Sequence, residues 1–331
     1  MRLFDYVAGQ KRRLIYPQMG ALGLKLTGYK MYDVYRSPQK QLEVAKVLDD
    51  SFDLDFVYPL DYGVIFVETL GLPLLKPDYD FPSTLDNPVK SHEILSAMKL
   101  PDPYSDGNMP VYLESISLLA ENFSKPLAVA LVGPFTLAVE LAGATDICRS
   151  IIKDPVFVTE LLGFTTAMVR DYALAVEKAG AKLIQLSEPS AVMLSPARFE
   201  NLVQQKIQDV FDDLNAFKVL HICGDTSLIL DRMFDCHAEG LSLDQIMSLG
   251  RLAPGVPDHI VIIGNIDPVT VMADLPAEAV RTEARRILRS MDAYPNFMFS
   301  FGCDCLINTP TENVKVCVEE VHQSLIHCDL V

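Results

Sequence analysis

Residues 154–187 read DPVFVTELLGFTTAMVRDYALAVEKAGAKLIQLS. Asp154 and Pro155 open the stretch as an N-cap followed by proline at the first helical position, where a missing N–H costs nothing. Val158, Leu161, Leu162, Thr165, Val169, Tyr172 and Val176 then recur at a spacing of mostly three or four, which predicts one buried helical stripe. Gly180 stands where a helix terminates in a glycine. KLIQLS, at 182–187, is a short apolar run of strand length.

The same alternation runs through the chain. Short apolar runs stand at 14–17, 55–59, 127–132, 182–187, 218–223, 239–243, 260–266 and 297–302, with long segments between them. Several are continuously apolar, as a parallel strand covered on both faces requires. Eight strands alternating with helices predict an α/β protein, a single (β/α)8 TIM-type barrel over 1–331. A doubly wound open sheet shares the pattern, because closure is not written in sequence. The last helix is expected to start in a capping box at Thr309, Pro310, Thr311 and Glu312, with Val314, Val318, Val321 and Leu325 as its buried stripe. The stretches 18–54 and 71–110, the second rich in proline and aspartate, exceed a normal loop and read as N-terminal elaborations around the barrel mouth.

The chain has 331 residues, half of them hydrophobic, ample for a full core. Twenty-eight basic against 44 acidic residues give a net charge of −16. Such a surface repels phosphate backbones and anionic bilayers, so neither nucleic acid nor membrane is an expected partner. No stretch reaches the roughly 18 apolar residues of a membrane span, and the first thirteen residues do not read as a signal peptide. A cytoplasmic location follows as an expectation, and a homo-oligomer is compatible with it. Cys148, Cys236, Cys317 and Cys328 read as free thiols of a reducing compartment.

His221 and Cys223, in KVLHICGD, are two residues apart on a predicted strand, so both point to the same face at its C-terminal end. That is the end of a barrel where chemistry sits. Cys303 follows Gly302 at the equivalent place on the eighth strand, which faces the fifth across the mouth. One imidazole and two thiolates make a three-ligand zinc site with a fourth position open, and soft sulfur ligands favour zinc over magnesium or calcium. Cys305 is an alternative to Cys303 if the strand continues, since both then share a face. Gly302 favours Cys303 by letting the backbone approach closely. The bland reading, ordinary core residues, is weakened by His-x-Cys at one strand end and Gly-Cys at another.

These residues resemble the uroporphyrinogen decarboxylase superfamily, and within it the methylcobalamin:coenzyme M methyltransferase branch. The resemblance rests on Gly133-Pro134-Phe135-Thr136, QLSEPSA at 185–191, HICG at 221–224, GNIDP at 264–268, and the Gly302, Cys303, Thr309, Pro310, Glu312, Asn313 pattern. It implies zinc held by His221, Cys223 and Cys303. It also implies a methyltransferase working with a corrinoid (methylcobalamin) on a partner protein and a small thiol acceptor or methylated donor. The decarboxylase carries an arginine-containing loop near its N-terminus. Here the corresponding stretch, Pro17 to Gly23, has no arginine and would hold a polyanionic porphyrinogen poorly. A metal-free lyase of the same superfamily and a non-catalytic corrinoid- or thiol-binding barrel are the alternatives.

Glu188, after the fourth strand, reads as a fourth, exchangeable ligand or a general acid, or equally as a solvated loop carboxylate. Asp61 lies near where the decarboxylase carries its catalytic aspartate. Asp225 can orient a ligand or simply shape the turn after Gly224. Asn265 and Asp267 end the seventh strand, where they can reach substrate or corrinoid, or form a turn before Pro268. His92, His237, His259, His322 and His327 lack ligand-like spacing and read as structural or surface residues.

Overall fold

The structure, a computed structural model, describes residues 1–326. His327 and Cys328 lie outside the described residues. A small antiparallel hairpin, β1 (Leu74–Leu75) with β2 (Ser83–Thr84), lies in the proline-rich elaboration. Six parallel strands follow in the order β3 (Ala128–Val132), β4 (Leu183–Ser187), β5 (Phe217–Ile222), β6 (Gly240–Leu243), β7 (Val261–Ile266) and β8 (Phe297–Phe301). The two remaining runs join the edges of this sheet through parallel bridges. Ile15 pairs beside Phe299 of β8, and Val57 pairs with Leu127 at the start of β3. Tyr16 N–H donates to the Phe299 carbonyl at 2.8 Å, and Ala128 N–H to the Val57 carbonyl at 2.9 Å.

The two edge segments meet. Ile15 N–H donates to the Asp55 carboxylate at 2.8 Å, and the Tyr16 ring lies 5.2 Å from Phe56 and 5.0 Å from Tyr58. Leu14, Tyr16, Phe56, Tyr58, Ala128, Leu183, Val219, Val261, Ile263 and Met298 share one buried cluster. They come from seven of the eight runs. The remaining strand turns Gly240 toward them, where a side chain would press on Leu3, Ile263 and Val219. In a flat sheet the first and last strands could not pack against each other. A common interior requires the sheet to curl, which is the (β/α)8 architecture. Leu3 and Val7 of the helix Leu3–Ala8 plug the N-terminal end of this interior.

The helix read from residues 154–180 forms as Pro155–Ala179, its seven stripe residues buried. The Asp154 side chain accepts from Phe157 N–H at 3.2 Å, and Gly180 closes the helix at φ +121°. The last helix departs from expectation. It spans Thr311–Gln323 with Pro310 at the N-cap and no side-chain cap bond. The third helical residue is therefore Asn313, not Glu312, so a capping box is out of register by one. Thr309 turns inward and is fully buried. Val314, Val318 and Val321 are buried as expected, but Leu325 is 58% exposed. The helix has already ended, and Leu325 bridges Arg12 in antiparallel fashion.

Residues 18–54 fold into the helices Gly20–Thr27, Met31–Tyr35 and Pro38–Phe52. Tyr35 and Tyr62 stack at 3.9 Å between ring centroids, with Tyr112 edge-on to Tyr62, so aromatic packing ties this elaboration to the barrel mouth. No helix among the described residues is long and apolar enough to cross a membrane.

Candidate metal centre

β5 delivers His221 and, one residue past its end, Cys223 to the same face at the barrel mouth. β8 ends at Phe301, and the chain then runs through Gly302 into Cys303. His221 Nε2 lies 2.9 Å from Cys223 Sγ, and Cys223 Sγ lies 3.7 Å from Cys303 Sγ. The three ligand atoms all lie within 4.8 Å of one another. A tetrahedral zinc with sulfurs at about 2.3 Å sets those sulfurs about 3.8 Å apart, so the donor set and the sulfur spacing fit that ion. The Nε2–Sγ distance is shorter than a shared ion would leave it and is that of a hydrogen bond.

His221 is held by its other nitrogen. Nδ1 lies 3.1 Å from the Ser242 carbonyl and 3.0 Å from Ser242 Oγ on neighbouring β6. A proton on Nδ1 donated to that carbonyl leaves the Nε2 lone pair facing the cysteines. The hydrogen bond from Cys223 pulls the Cys303 thiol well below its ordinary range, against burial and with help from nearby His221. Cys305 sits elsewhere. Because β8 has ended, alternation does not carry it to the same face. It is buried, its Sγ lies 3.7 Å from the Leu306 carbonyl, and burial pushes its thiol up to about 12.

The loops behind the triad are locked by residues that the sequence reading passed over. Gly224, at φ +86°, donates its N–H to Asp244 at 2.8 Å, and Asp244 also accepts from Ile246 N–H at 3.0 Å. Ser242 and Asp244 end β6 at the height of His221, a strand-end position that was the available signal. Asn265 is buried and donates Nδ2 to the carbonyls of Asp244 at 2.8 Å and Met247 at 2.6 Å. Asp267 accepts from the N–H groups of Val269 at 2.8 Å and Thr270 at 2.9 Å. Both residues therefore shape the β6 and β7 loops. They also line a groove of about 540 Å³ against the helix Ala277–Ser290, to which the triad does not contribute. Asp225 is exposed and accepts from Ser227 N–H at 3.0 Å, so it is the turn residue, and the ligand-orienting contact belongs to Ser242.

Glu188 is no solvated loop carboxylate. It is 0% exposed and lies outside the group of converging ligand atoms. Its two oxygens accept from the backbone N–H groups of Phe135 at 2.8 Å and Thr136 at 2.7 Å, the first turn of the helix Pro134–Ala142. A carboxylate is favoured at a helix N-terminus. Gly133 is required there because a Cβ would overlap the Glu188 carboxyl group. Burial nevertheless pushes Glu188 up to about 7, and burial together with the Glu188 charge pushes Glu140, on the same helix, up to about 8. A carboxyl whose folded-state value is raised gives stability that is full below its ordinary 4.5 and is lost as pH rises through the raised value. Glu140→Gln is therefore expected to gain stability relative to the parent between pH 5.5 and 8, on the order of 2 kcal/mol. Urea unfolding at the two pH values, with the parent measured in parallel, reads that difference. An unchanged difference would place the strain elsewhere.

Asp61 lies beside a carboxylate that sequence reading missed. Asp304, between Cys303 and Cys305, lines the same narrow space. Burial raises Asp61 to about 7, and burial plus the charges of Asp61 and Cys303 raise Asp304 well above the ordinary carboxylate range. Of the other histidines, His92 contacts Asp154 and Glu160, His237 contacts Asp212, and His322 lies 3.5 Å from Asp55, all away from the triad.

The pattern of the uroporphyrinogen decarboxylase (URO-D) family matches residues 19–324. Among individual relatives, methylcobamide:CoM methyltransferase MtaA of Methanosarcina barkeri (strain Fusaro / DSM 804) is 29% identical over 246 residues, 72% of this chain and 68% of that one. A uroporphyrinogen decarboxylase of Trichlorobacter lovleyi is 28% identical over 301 residues, 88% and 86% of the two chains. A solved methyltransferase from Methanosarcina mazei superposes over 96% of both chains with a TM-score of 0.87 at 24% identity, a likeness of fold.

Proposed function

The chain belongs to the uroporphyrinogen decarboxylase (URO-D) family, and from that premise we propose that it is a zinc-dependent, corrinoid-linked methyltransferase. It moves a methyl group between a corrinoid carried by a partner protein and a small molecule bound at the barrel mouth. The observation that carries this reading is the convergence of His221 Nε2, Cys223 Sγ and Cys303 Sγ within 4.8 Å at the C-terminal ends of β5 and β8. His221, Cys223 and Cys303 would hold zinc there, and the ion would supply a Lewis acid that favours the thiolate form of a thiol at neutral pH.

The protein's own residues do the rest. Ser242 fixes the imidazole so that its lone pair faces inward. Asp244, through Gly224 N–H, ties the loop that carries Cys223 to the β6 loop, and Asn265, through the Asp244 and Met247 carbonyls, holds that β6 loop in place. Glu188 anchors the β3 loop from below, and its backbone N–H donates to the His221 carbonyl at 2.8 Å, which couples the third and fourth strand ends to the fifth. Pre-set geometry of this kind suits an in-line displacement at a methyl carbon, which gains most of its rate from alignment.

Gln18 stands in the loop where a decarboxylase of this family would place a cation, and it lines the mouth beside Asp61 and Asp304. No lysine, arginine or histidine is among the described residues lining this space, so a ring of substrate carboxylates would find no counter-charge there, which disfavours decarboxylation of a polyanion. The test is methyl transfer by the zinc-loaded protein, from methylcobalamin to small thiols and from methylated donors to cob(I)alamin. Transfer that depends on zinc supports the reading. Decarboxylation of a porphyrinogen without metal, and no transfer in either direction, would sink it.

A further inference from the structure

Three serines near strand ends face the barrel interior, and their hydroxyls are not equivalent. Ser242 on β6 is buried, and its Oγ lies 3.0 Å from His221 Nδ1. Ser300 on β8 is buried and donates to the Tyr16 carbonyl at 2.5 Å. Ser187 on β4 is half-buried, and among the described residues its hydroxyl proton has no acceptor. Its oxygen is already engaged. Gln185 Nε2 donates to Ser187 Oγ at 3.3 Å, and Gln185 Oε1 accepts from the Tyr16 hydroxyl at 3.3 Å. Tyr16 in turn accepts from the Tyr58 hydroxyl. These bonds all run one way and end at Ser187. Each polarises the next, so the last O–H is a strengthened donor.

Ser187 stands beside the candidate ligands. In the parallel ladder it pairs with His221, and His221 pairs with Ser242, so the two serines flank the imidazole on neighbouring strands about 4.8 Å away. Leu183 and Val219 belong to the buried interior cluster, and counting by twos along each strand brings Gln185, Ser187 and His221 to that same inner face. Ser242 holds the Nδ1 edge of the ring, while Nε2 faces Cys223. Resting on the methyltransferase reading above, we propose that Ser187 contacts the small-molecule substrate: its hydroxyl donates a hydrogen bond to the sulfur or oxygen that gives or receives the methyl group at the triad. A hydrogen bond to an ionised acceptor is stronger than one to a neutral acceptor. Ser187 therefore favours the anionic form of that atom, whether it is the thiolate that accepts the methyl group or the anion left when one departs. The proton is shared and stays on Ser187.

The test loads the protein with cobalt(II) in place of zinc and titrates its sulfur-to-cobalt charge-transfer absorbance with 2-mercaptoethanol. In Ser187→Ala the thiol is expected to bind about 10-fold more weakly than in the parent. The thiol-dependent band should also move to longer wavelength, because a sulfur that loses a hydrogen bond holds its electrons less tightly. Metal content and the spectrum without thiol should stay at parent values, since Ser187 is not among the converging ligand atoms. Ser187→Thr keeps a hydroxyl and should return the affinity to within about 3-fold of the parent. A second variant reads the relay without touching Ser187. Tyr16→Phe removes the proton that orients the Gln185 amide, and a smaller loss of about 3-fold is expected. Parent affinity and an unmoved band in Ser187→Ala, or in Tyr16→Phe should Ser187→Ala fail to fold, would overturn the assignment while leaving the methyltransferase reading standing. If the thiol leaves the parent spectrum unchanged, the methyltransferase reading fails and the role of Ser187 falls with it.

Discussion

Replacing Cys223 or Cys303 by alanine is expected to lower bound zinc from about one ion per chain to a small fraction and to abolish methyl transfer, while Cys305→Ala leaves metal content at the parent level. The contrast is the point of the experiment. All three cysteines are neighbours in sequence or space, but only Cys223 Sγ and Cys303 Sγ converge on His221 Nε2. Losing one of three protein ligands leaves two donors, too few to hold the ion against water. Cys305 Sγ faces the Leu306 carbonyl in a buried setting that disfavours its thiolate. Circular dichroism of each variant checks that the barrel survives, and metal content is read by elemental analysis after exhaustive dialysis. A gentler perturbation follows the same logic. Ser242→Ala removes the hydroxyl contact to Nδ1 and leaves the carbonyl, so metal affinity should weaken by about 10-fold, the low end for an outer hydrogen bond. Retention of full zinc by Cys303→Ala would refute the site.

Gly302→Ala is expected to cost about 1–3 kcal/mol of stability and to weaken metal binding at least about 10-fold. A Cβ at this position would overlap the backbone nitrogen of Gln245 and its side chain. A flexible side-chain tip could swing away, but a backbone nitrogen on the β6 loop cannot move without shifting Asp244 and Ile246. Gly302 N–H also donates to the Ile266 carbonyl at 2.9 Å, so the residue is pinned on its other side. The strain must therefore be relieved by moving residue 302 itself, and Cys303 moves with it. Gly255→Ala is the control, since no atom lies within 4 Å of the Cβ it would add. Its effect should stay within about 0.5 kcal/mol. Urea midpoints report the first quantity and chelator competition the second. Unaltered metal affinity in Gly302→Ala would mean that the glycine serves packing alone.

Much of this was legible in the linear chain. The period of the helix Pro155–Ala179, its Asp154 cap and its Gly180 terminus follow from local rules that need no tertiary context. The same holds for the apolar runs that became β3 to β8, each within a residue or two of its observed limits. His221 and Cys223 share a face by simple alternation. Local rules failed where a neighbour in space outweighed one in sequence. Thr309 looked like a cap, but Pro310 took that place and Thr309 was drawn into the interior. Glu188 read as an exchangeable ligand, a general acid or a solvated loop carboxylate, yet the first turn of the helix Pro134–Ala142, more than fifty residues earlier, supplied the N–H groups that hold it in the interior.

By itself, then, the sequence determined the alternating elements, their order, and the candidate ligands at two strand ends, because hydrophobic periodicity and strand alternation act over a few residues. Only the tertiary structure decided that the sheet curls on itself, that Cys303 rather than Cys305 meets His221 and Cys223, and that Ser242, Asp244 and Asp304 surround them. Those outcomes depend on distances between residues tens or hundreds of positions apart, and such distances are set by packing around the shared interior of Leu14, Tyr58, Ala128 and Met298.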